Sequence, residues 1–373
     1  MIEPLKKLLD HLNSILDPDR QEEIEQRHKR ALKWQQTDRL PLVMCYPLDK
    51  RADFLPFPHR EIFESPEKMF YNELVHAFDT SIAMRDKIND DLPLTVRANF
   101  GTVLVASMFG CGVEIADDNP PWARHLESKD EFEKCLDNFD PSDFSSPWMA
   151  KAEKTLKVYK QILSEYPKLE NMIQIVLPDL QGPLDNAAMV RGSEFFVELL
   201  TEPELTAKAM KLAAQAQAKA AERFSSYLTE KVNGFAHQHA AMIRGNILLR
   251  NDSSVMISPE MYSEKIAPYD ELVLKSMGSG SIHSCGRIGH VAEKFTEIPH
   301  CLSVDFGQPE MNDLDTIYSI AKERNISLIR VSVSKEQLIS GEVQKRFPTG
   351  VSLVYRADSF AEAQELMKQY SGS

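Results

Sequence analysis

The sequence predicts an α/β protein folded as a (β/α)8 TIM barrel, with a helical N-terminal extension and an insertion after the second strand. Three observations predict it. Eight short runs rich in Val, Ile and Leu recur along the chain, amphipathic segments of helix length separate them, and no Gly-rich phosphate turn follows the first run. The last point argues against an open doubly wound sheet, because after MCYPL the chain continues DKRADFLPFPH. A chain of 373 residues is long enough for two or three ordinary domains or for one enlarged barrel.

Taken in order, residues 1–37 open with apolar residues at helical spacing (Leu5, Leu8, Leu9, Leu12, Leu16) and continue into the charged stretch EEIEQRHKRALKWQQ, which reads as a helical extension. The barrel is placed at 38–373. Its strand candidates are LPLVMCY (40–46), LPLTVRANF (92–100), MIQIVLP (172–178), GFAHQHA (234–240), SGSIHSC (279–285), CLSVDF (301–306), ISLIRVS (326–332) and VSLVYR (351–356). Helical material around 102–165 forms the insertion. Helix starts follow Ser65-Pro66, Ser193, Thr201-Glu202-Pro203, Ser258-Pro259, Asn312, Ser334 and Ser359, where a capping side chain, or Pro at the first helical position, satisfies or removes backbone donors that the helix leaves unpaired. The Ala-rich run AKAMKLAAQAQAKAAERF reads as one long helix.

Composition narrows the partners. With 43 Lys+Arg against 56 Asp+Glu the net charge is −13, which repels nucleic-acid backbones and anionic membranes. Five cysteines in so long a chain do not make a disulfide framework, and the start lacks the apolar core of a signal peptide, so a reducing cytoplasm is expected. No run reaches the ~20 apolar residues of a membrane span.

In a barrel of this kind, chemistry sits at the carboxyl ends of the strands. His283-Ser284-Cys285 is the sharpest candidate. Alternate strand residues face one way, so imidazole and thiolate can hold one metal ion, with Gly286 turning the chain away. The plain alternative is a hydrogen-bonded structural His beside an inert Cys. His237-Gln238-His239 has the same spacing and offers metal ligands, a general base or two ordinary rim histidines. Asp305 ends its run as an orienter for His283 or an oxygen ligand. Asn99, Gln181, Gln308, Arg330 and Tyr355 complete the expected mouth, together with Cys45. Arg97, Arg244, Arg250 and Arg356 are further candidates for clamping a substrate carboxylate. Nothing marks Asp90-Asp91 or Asp117-Asp118 as a catalytic pair.

The stretches LPDLQGPLDNAAMVRGSEFFVELLTEPEL, NDSSVMISPEMYSEKIAPYDELVLKSMGSGSIHSCGRIGHVAEKF and CLSVDFGQPEM resemble the uroporphyrinogen decarboxylase superfamily over roughly residues 38 to 370. Gly182-Pro183, Ser258-Pro259-Glu260, Pro268-Tyr269 and His283-Ser284-Cys285-Gly286 fall in its order. The resemblance implies a TIM barrel and two activities: decarboxylation of uroporphyrinogen, or zinc-dependent methyl transfer from a corrinoid protein to a thiol or folate-type acceptor. The decarboxylase signature Met-Arg-Gln-Ala-Gly-Arg-Tyr is replaced here by MCYPLDKRADFLPFP, where only Arg51 partly stands in, and Gly101 falls where the decarboxylase Asp belongs. A second alignment offers Asp86 instead. The methyltransferase branch is therefore expected, with His283 and Cys285 as zinc ligands, and Asp305 and His239 as orienting or completing residues. That branch uses a third ligand, a Cys near the last strand, but no Cys follows 301 here, so His239, Asp305, Cys45 or a Glu would replace it. The chain lacks the Asp-X-His-X-X-Gly cobalamin pattern, so a separate protein would bring the corrinoid. A metal-free decarboxylase acting on an acidic substrate, or a non-catalytic partner subunit of a corrinoid system, are the alternatives, and relatives of this fold often pair as homodimers.

Overall fold

In the computed structural model, all residues are described except 50, 51, 231, 232 and 373, so Arg51 lies outside the described residues. Among the described residues, helices alternate with twelve strands: β1 (Leu42–Cys45), β2 (Thr95–Arg97), β3 (Gly112–Glu114), β4 (Trp122–Arg124), β5 (Gln174–Val176), β6 (Phe235–Gln238), β7 (Ala241–Arg244), β8 (Leu248–Arg250), β9 (Gly280–Ser284), β10 (Cys301–Phe306), β11 (Ser327–Ser332) and β12 (Val351–Arg356). Six of them form one parallel sheet in the order β1-β12-β11-β10-β9-β8, and β2 pairs in parallel with β5 in a second ladder. Among the described residues the two ladders do not join by backbone pairing into a closed barrel.

The fourth strand differs from the sequence expectation. The run at 234–240 forms β6, which turns back on β7 as an antiparallel hairpin, and the strand that enters the parallel sheet beside β9 is β8. The reason is the turn between Gln238 and Ala241: His239 and Ala240 both take left-handed φ, 49° and 60°. This is the two-residue turn that fits the twist of a hairpin. Phe235, Ala236, Met242 and Ile243 then bury against Leu32, Leu248 and Ile329.

The gap between β1 and β2 is bridged by side chains. Asp91 accepts the Leu42 N–H and Asp90 the Met44 N–H, each at 2.9 Å. Asp91 is fully buried, paired by Arg39 and, at 2.7 Å, by Arg27, and Asp90 is paired by Arg85 at 2.8 Å. The Asp-Asp step thus stitches the fold. Arg27 belongs to the second of two opening helices, α1 (Glu3–Ile15) and α2 (Pro18–Leu32). Leu5, Leu8, Leu9 and Leu12 of α1 are wholly buried in the main core, at a gain of roughly 1.5–3 kcal/mol each.

Helix starts largely follow the sequence. Ser65, Ser258, Ser334 and Ser359 cap their helices through the side chain, and the Ala-rich run is one helix of 23 residues, Pro203–Ser225. Two starts differ. Ser193 makes no side-chain cap. Asp313 caps the helix Leu314–Glu323, while Asn312 instead accepts the Ile288 N–H and donates to the Gly286 carbonyl, bracing the turn after β9. No helix among the described residues is long and apolar enough to cross a membrane.

Candidate metal centre

The carboxyl ends of β8 to β11 bring five charged or metal-binding side chains together, those of Asp252, His283, Cys285, Asp305 and Arg330. His283 Nδ1 lies 2.8 Å from Asp305 Oδ2, and β9 and β10 place these two residues side by side in register. Asp305 is in turn held by Arg330, whose Nε donates to Oδ1 at 2.8 Å and whose Nη2 donates to Oδ2. Burial opposes ionisation of Asp305, but Arg330 and His283 outweigh it and hold the carboxyl well below the usual range.

Arg330 reaches this position through a backbone irregularity. Pairing of β11 with β12 slips between Leu328 and Val331, and Arg330 takes a left-handed φ of 55°. Such a bulge re-aims one side chain and leaves one N–H unpaired. The Arg330 N–H finds the Ser352 hydroxyl at 3.1 Å.

The other imidazole nitrogen faces two more ligand-type groups. His283 Nε2 lies 3.4 Å from Cys285 Sγ and 3.4 Å from Asp252 Oδ1. One ligand atom from each of Asp252, His283 and Cys285 lies within 4.8 Å of the others. Space for the thiol depends on glycine, since a Cβ on Gly307 would sit 2.5 Å from Cys285 Sγ. Gly286, at φ 80°, lets the chain turn away behind it. Burial first, and then the Asp252 carboxylate, push the Cys285 thiol up to about 12. A cation among these atoms would offset both effects.

This donor set fits a zinc ion. Nitrogen, sulfur and carboxylate oxygen are its usual ligands, three protein ligands leave one position open, and a carboxylate on the far ring nitrogen is the usual orienting partner. Asp305 takes the orienting place, and Asp252 stands where the third ligand is needed. Sequence reading missed Asp252 because β8, only three residues long, was not recognised. The signal was the apolar ILL at 247–249 followed closely by Asn251-Asp252. Asp252 is itself held by Asp185, which accepts its N–H at 2.6 Å and the Ser253 N–H at 3.0 Å.

Across the mouth stands a second charged set. Asp179 takes an ion pair from Arg250 at 2.5 Å, with His239 Nε2 at 3.5 Å and Arg97 Nη1 at 3.7 Å. Its carboxyl is held far below the usual range by Arg250, His239 and Arg97, against the opposing effect of burial. Burial, Arg250 and Arg97 together keep His239 well below the ordinary histidine range, so it is neutral. The His239 and His283 rings are 6.4 Å apart.

The remaining expected residues separate. Gln181 donates its backbone N–H and side-chain amide to Asp179. Asn99 bonds Glu73 and Arg97, and lines a cavity of about 510 Å³ with Phe57 and His76. Gln308 accepts the Gly286 N–H and so supports the turn behind Cys285. Two residues leave the mouth. His237 lines a different cavity, of about 490 Å³, against Gln21 and Glu25 of α2, because the hairpin turn at 239–240 ends the strand alternation that would have kept it beside His239. Tyr355 turns to the last helix and donates to Glu362 at 3.0 Å. Cys45 and Arg330 line a cavity of about 130 Å³ with Phe78, Thr80 and His239. Cys301 is fully buried, and Asp86 is exposed in the turn after Ile82–Met84.

Comparison with known proteins adds one finding. No family model and no curated protein matches the chain. Among solved structures, a methyltransferase from Methanosarcina mazei matches with a TM-score of 0.62 at 14% identity, over 94% of this chain and 97% of that one. At that identity the likeness shows the fold, a TIM-barrel-like α/β arrangement.

Proposed function

We propose that the chain is a (β/α)8-barrel methyltransferase that passes a methyl group from a separate corrinoid protein to a thiol or folate-type acceptor, with zinc held by His283, Cys285 and Asp252. The observation that carries this reading is the cluster itself: three ligand atoms from three different residues, within 4.8 Å of one another, at the carboxyl ends of adjacent strands. When bound, zinc supplies the Lewis acidity that holds a thiol acceptor as its thiolate at neutral pH. The protein's own part is orientation. Asp305 accepts the Nδ1 proton of His283, which directs the Nε2 lone pair toward Cys285 and Asp252. Arg330 keeps Asp305 ionised for that task. The 130 Å³ cavity lies directly beside Arg330, and its lining sets Val43, Phe78, Phe306 and Val354 against Asp79, Glu310 and Arg356, which suits a small acceptor with both apolar and polar parts.

Metal analysis of protein purified without chelators tests the proposal. One zinc per chain in the wild type, with loss in both Cys285→Ala and Asp252→Asn, is the expected outcome. Equally negligible zinc in all three would overturn it.

A further inference from the structure

Three cavities meet at one aromatic ring. Phe78 borders the 130 Å³ cavity beside Arg330, a 20 Å³ cavity at Arg97 and Glu73, and the 510 Å³ cavity at Asn99 and His76. Its ring centroid lies 4.4 Å from the Arg97 guanidinium and 4.2 Å from the His239 ring. The turn that holds it is an unusual one. Ala77 and Thr80 exchange both backbone hydrogen bonds, at 3.0 and 2.9 Å, and the two residues between them, Phe78 and Asp79, take φ of 53° and 58°. Asn-Gly enters that turn easily, whereas a bulky Phe is strained there. Strain of this kind persists where the surroundings impose it, and here they place an aromatic face over a buried cation.

Beneath the ring, cationic donors outnumber their partners. Among the described residues, Arg97 Nε and Nη1 and Arg250 Nε are buried without a hydrogen-bond partner. Both arginines are at least nine-tenths buried and share one close carboxylate, Asp179. The other acid near Arg97 is Glu73, which is buried, accepts the Arg97 backbone N–H and the Asn99 side-chain amide, and has its carboxyl pushed up by burial. Arg97 thus keeps buried donors, Nε and Nη1, that the acceptor oxygen of an added ligand would satisfy.

We propose that Arg97, backed by Arg250, anchors the carboxylate of a small organic acid, and that Phe78 covers this anchor until the ligand displaces its ring. A flat carboxylate supplies acceptor oxygens for these unpaired donors and is smaller than a tetrahedral phosphate, which the 20 Å³ cavity at Arg97 would hold less well. The inference rests on the function proposed above only in directing the other end of the molecule toward His283, across the 6.4 Å that separates its ring from His239. The anchor itself stands on Arg97, Arg250 and Phe78.

Calorimetric titration of the full chain with propionate, propionamide and inorganic phosphate is the test, run with zinc and after chelation. Propionate is expected to bind at least about tenfold more tightly than propionamide, and Arg97→Gln to remove that preference while Arg97→Lys keeps part of it. Phe78→Ala is expected to tighten propionate about threefold by uncovering the anchor. This variant decides the matter if Arg97→Gln does not fold. Equal binding of acid and amide, unchanged binding in an Arg97→Gln protein of wild-type melting temperature, weaker binding in Phe78→Ala, or phosphate binding more tightly than propionate would each overturn the proposal. Cys285→Ala is expected to bind propionate as the wild type does, and a loss there would move the anchor to the other wall and overturn it. Failure of the zinc proposal has a separate signature, absent metal with propionate binding intact.

Discussion

The two walls of the mouth are built from the same three residue types, yet their chemistry is opposite. On one, Asp305 is clamped by Arg330 and meets His283 at 2.8 Å. On the other, Asp179 is clamped by Arg250 and faces His239 at 3.5 Å. What differs is the next neighbour. His283 turns its free nitrogen to a thiol and a carboxylate, which suit a cation, whereas His239 has Arg97 and Arg250 beside it, which suit an anion. An Asp-Arg-His set does not specify a function, because the surrounding charges decide which ligand it can accept.

The largest effect that would sharpen this contrast is on stability. Arg330→Met leaves Asp305 buried with only His283 beside it and is expected to lose about 3–5 kcal/mol in urea denaturation. Arg250→Met is expected to lose clearly less, since Arg97 and the amide of Gln181 still face Asp179. Equal losses would break the distinction between the walls. Next comes metal affinity. Asp305→Asn is expected to weaken zinc binding on the order of 10- to 100-fold in competition with a chromogenic chelator, whereas Asp179→Asn should leave it unchanged.

A smaller effect concerns pH. Behind Asp252, the Asp270 carboxyl accepts hydrogen bonds from Asn251 at 2.6 Å and from Tyr262, and burial pushes it up to about 7. The folded chain therefore holds this proton more tightly than the unfolded one. The resulting stability is fully present below the ordinary Asp value of 3.8 and is lost as pH rises through about 7. Asp270→Asn is expected to flatten the decline between pH 4 and 7, measured as denaturation midpoints across that range. The smallest expected change is in His239→Gln, whose zinc content should equal that of the wild type, and loss of metal there would place His239 among the ligands after all.

Much of the fold was legible because its signals are local. The leucine spacing of α1, the Ser-Pro starts and seven of the eight apolar runs became helices and parallel strands as their periodicity requires. The eighth, at 234–240, went to a hairpin because two consecutive left-handed residues, His239 and Ala240, reversed it, and neither is a residue type that announces such a turn. Of the candidate site, His283, Cys285, Asp305 and Arg330 come together as their strand-end positions suggested. Asp252 escaped notice because its strand is three residues long, and Asp90 and Asp91 were unremarkable until the gap they bridge between β1 and β2 could be seen.

By itself, the sequence determined that His283 and Cys285 share a face, since alternation along a strand is a property of the backbone and needs no partner. It also determined where helices start and which faces are apolar. Only the tertiary structure decided what stands opposite that pair. A third ligand, an orienting carboxylate and the arginine that a bulge swings onto it come from positions 252, 305 and 330, and their convergence depends on strand order and register, which the strands set jointly by pairing with one another.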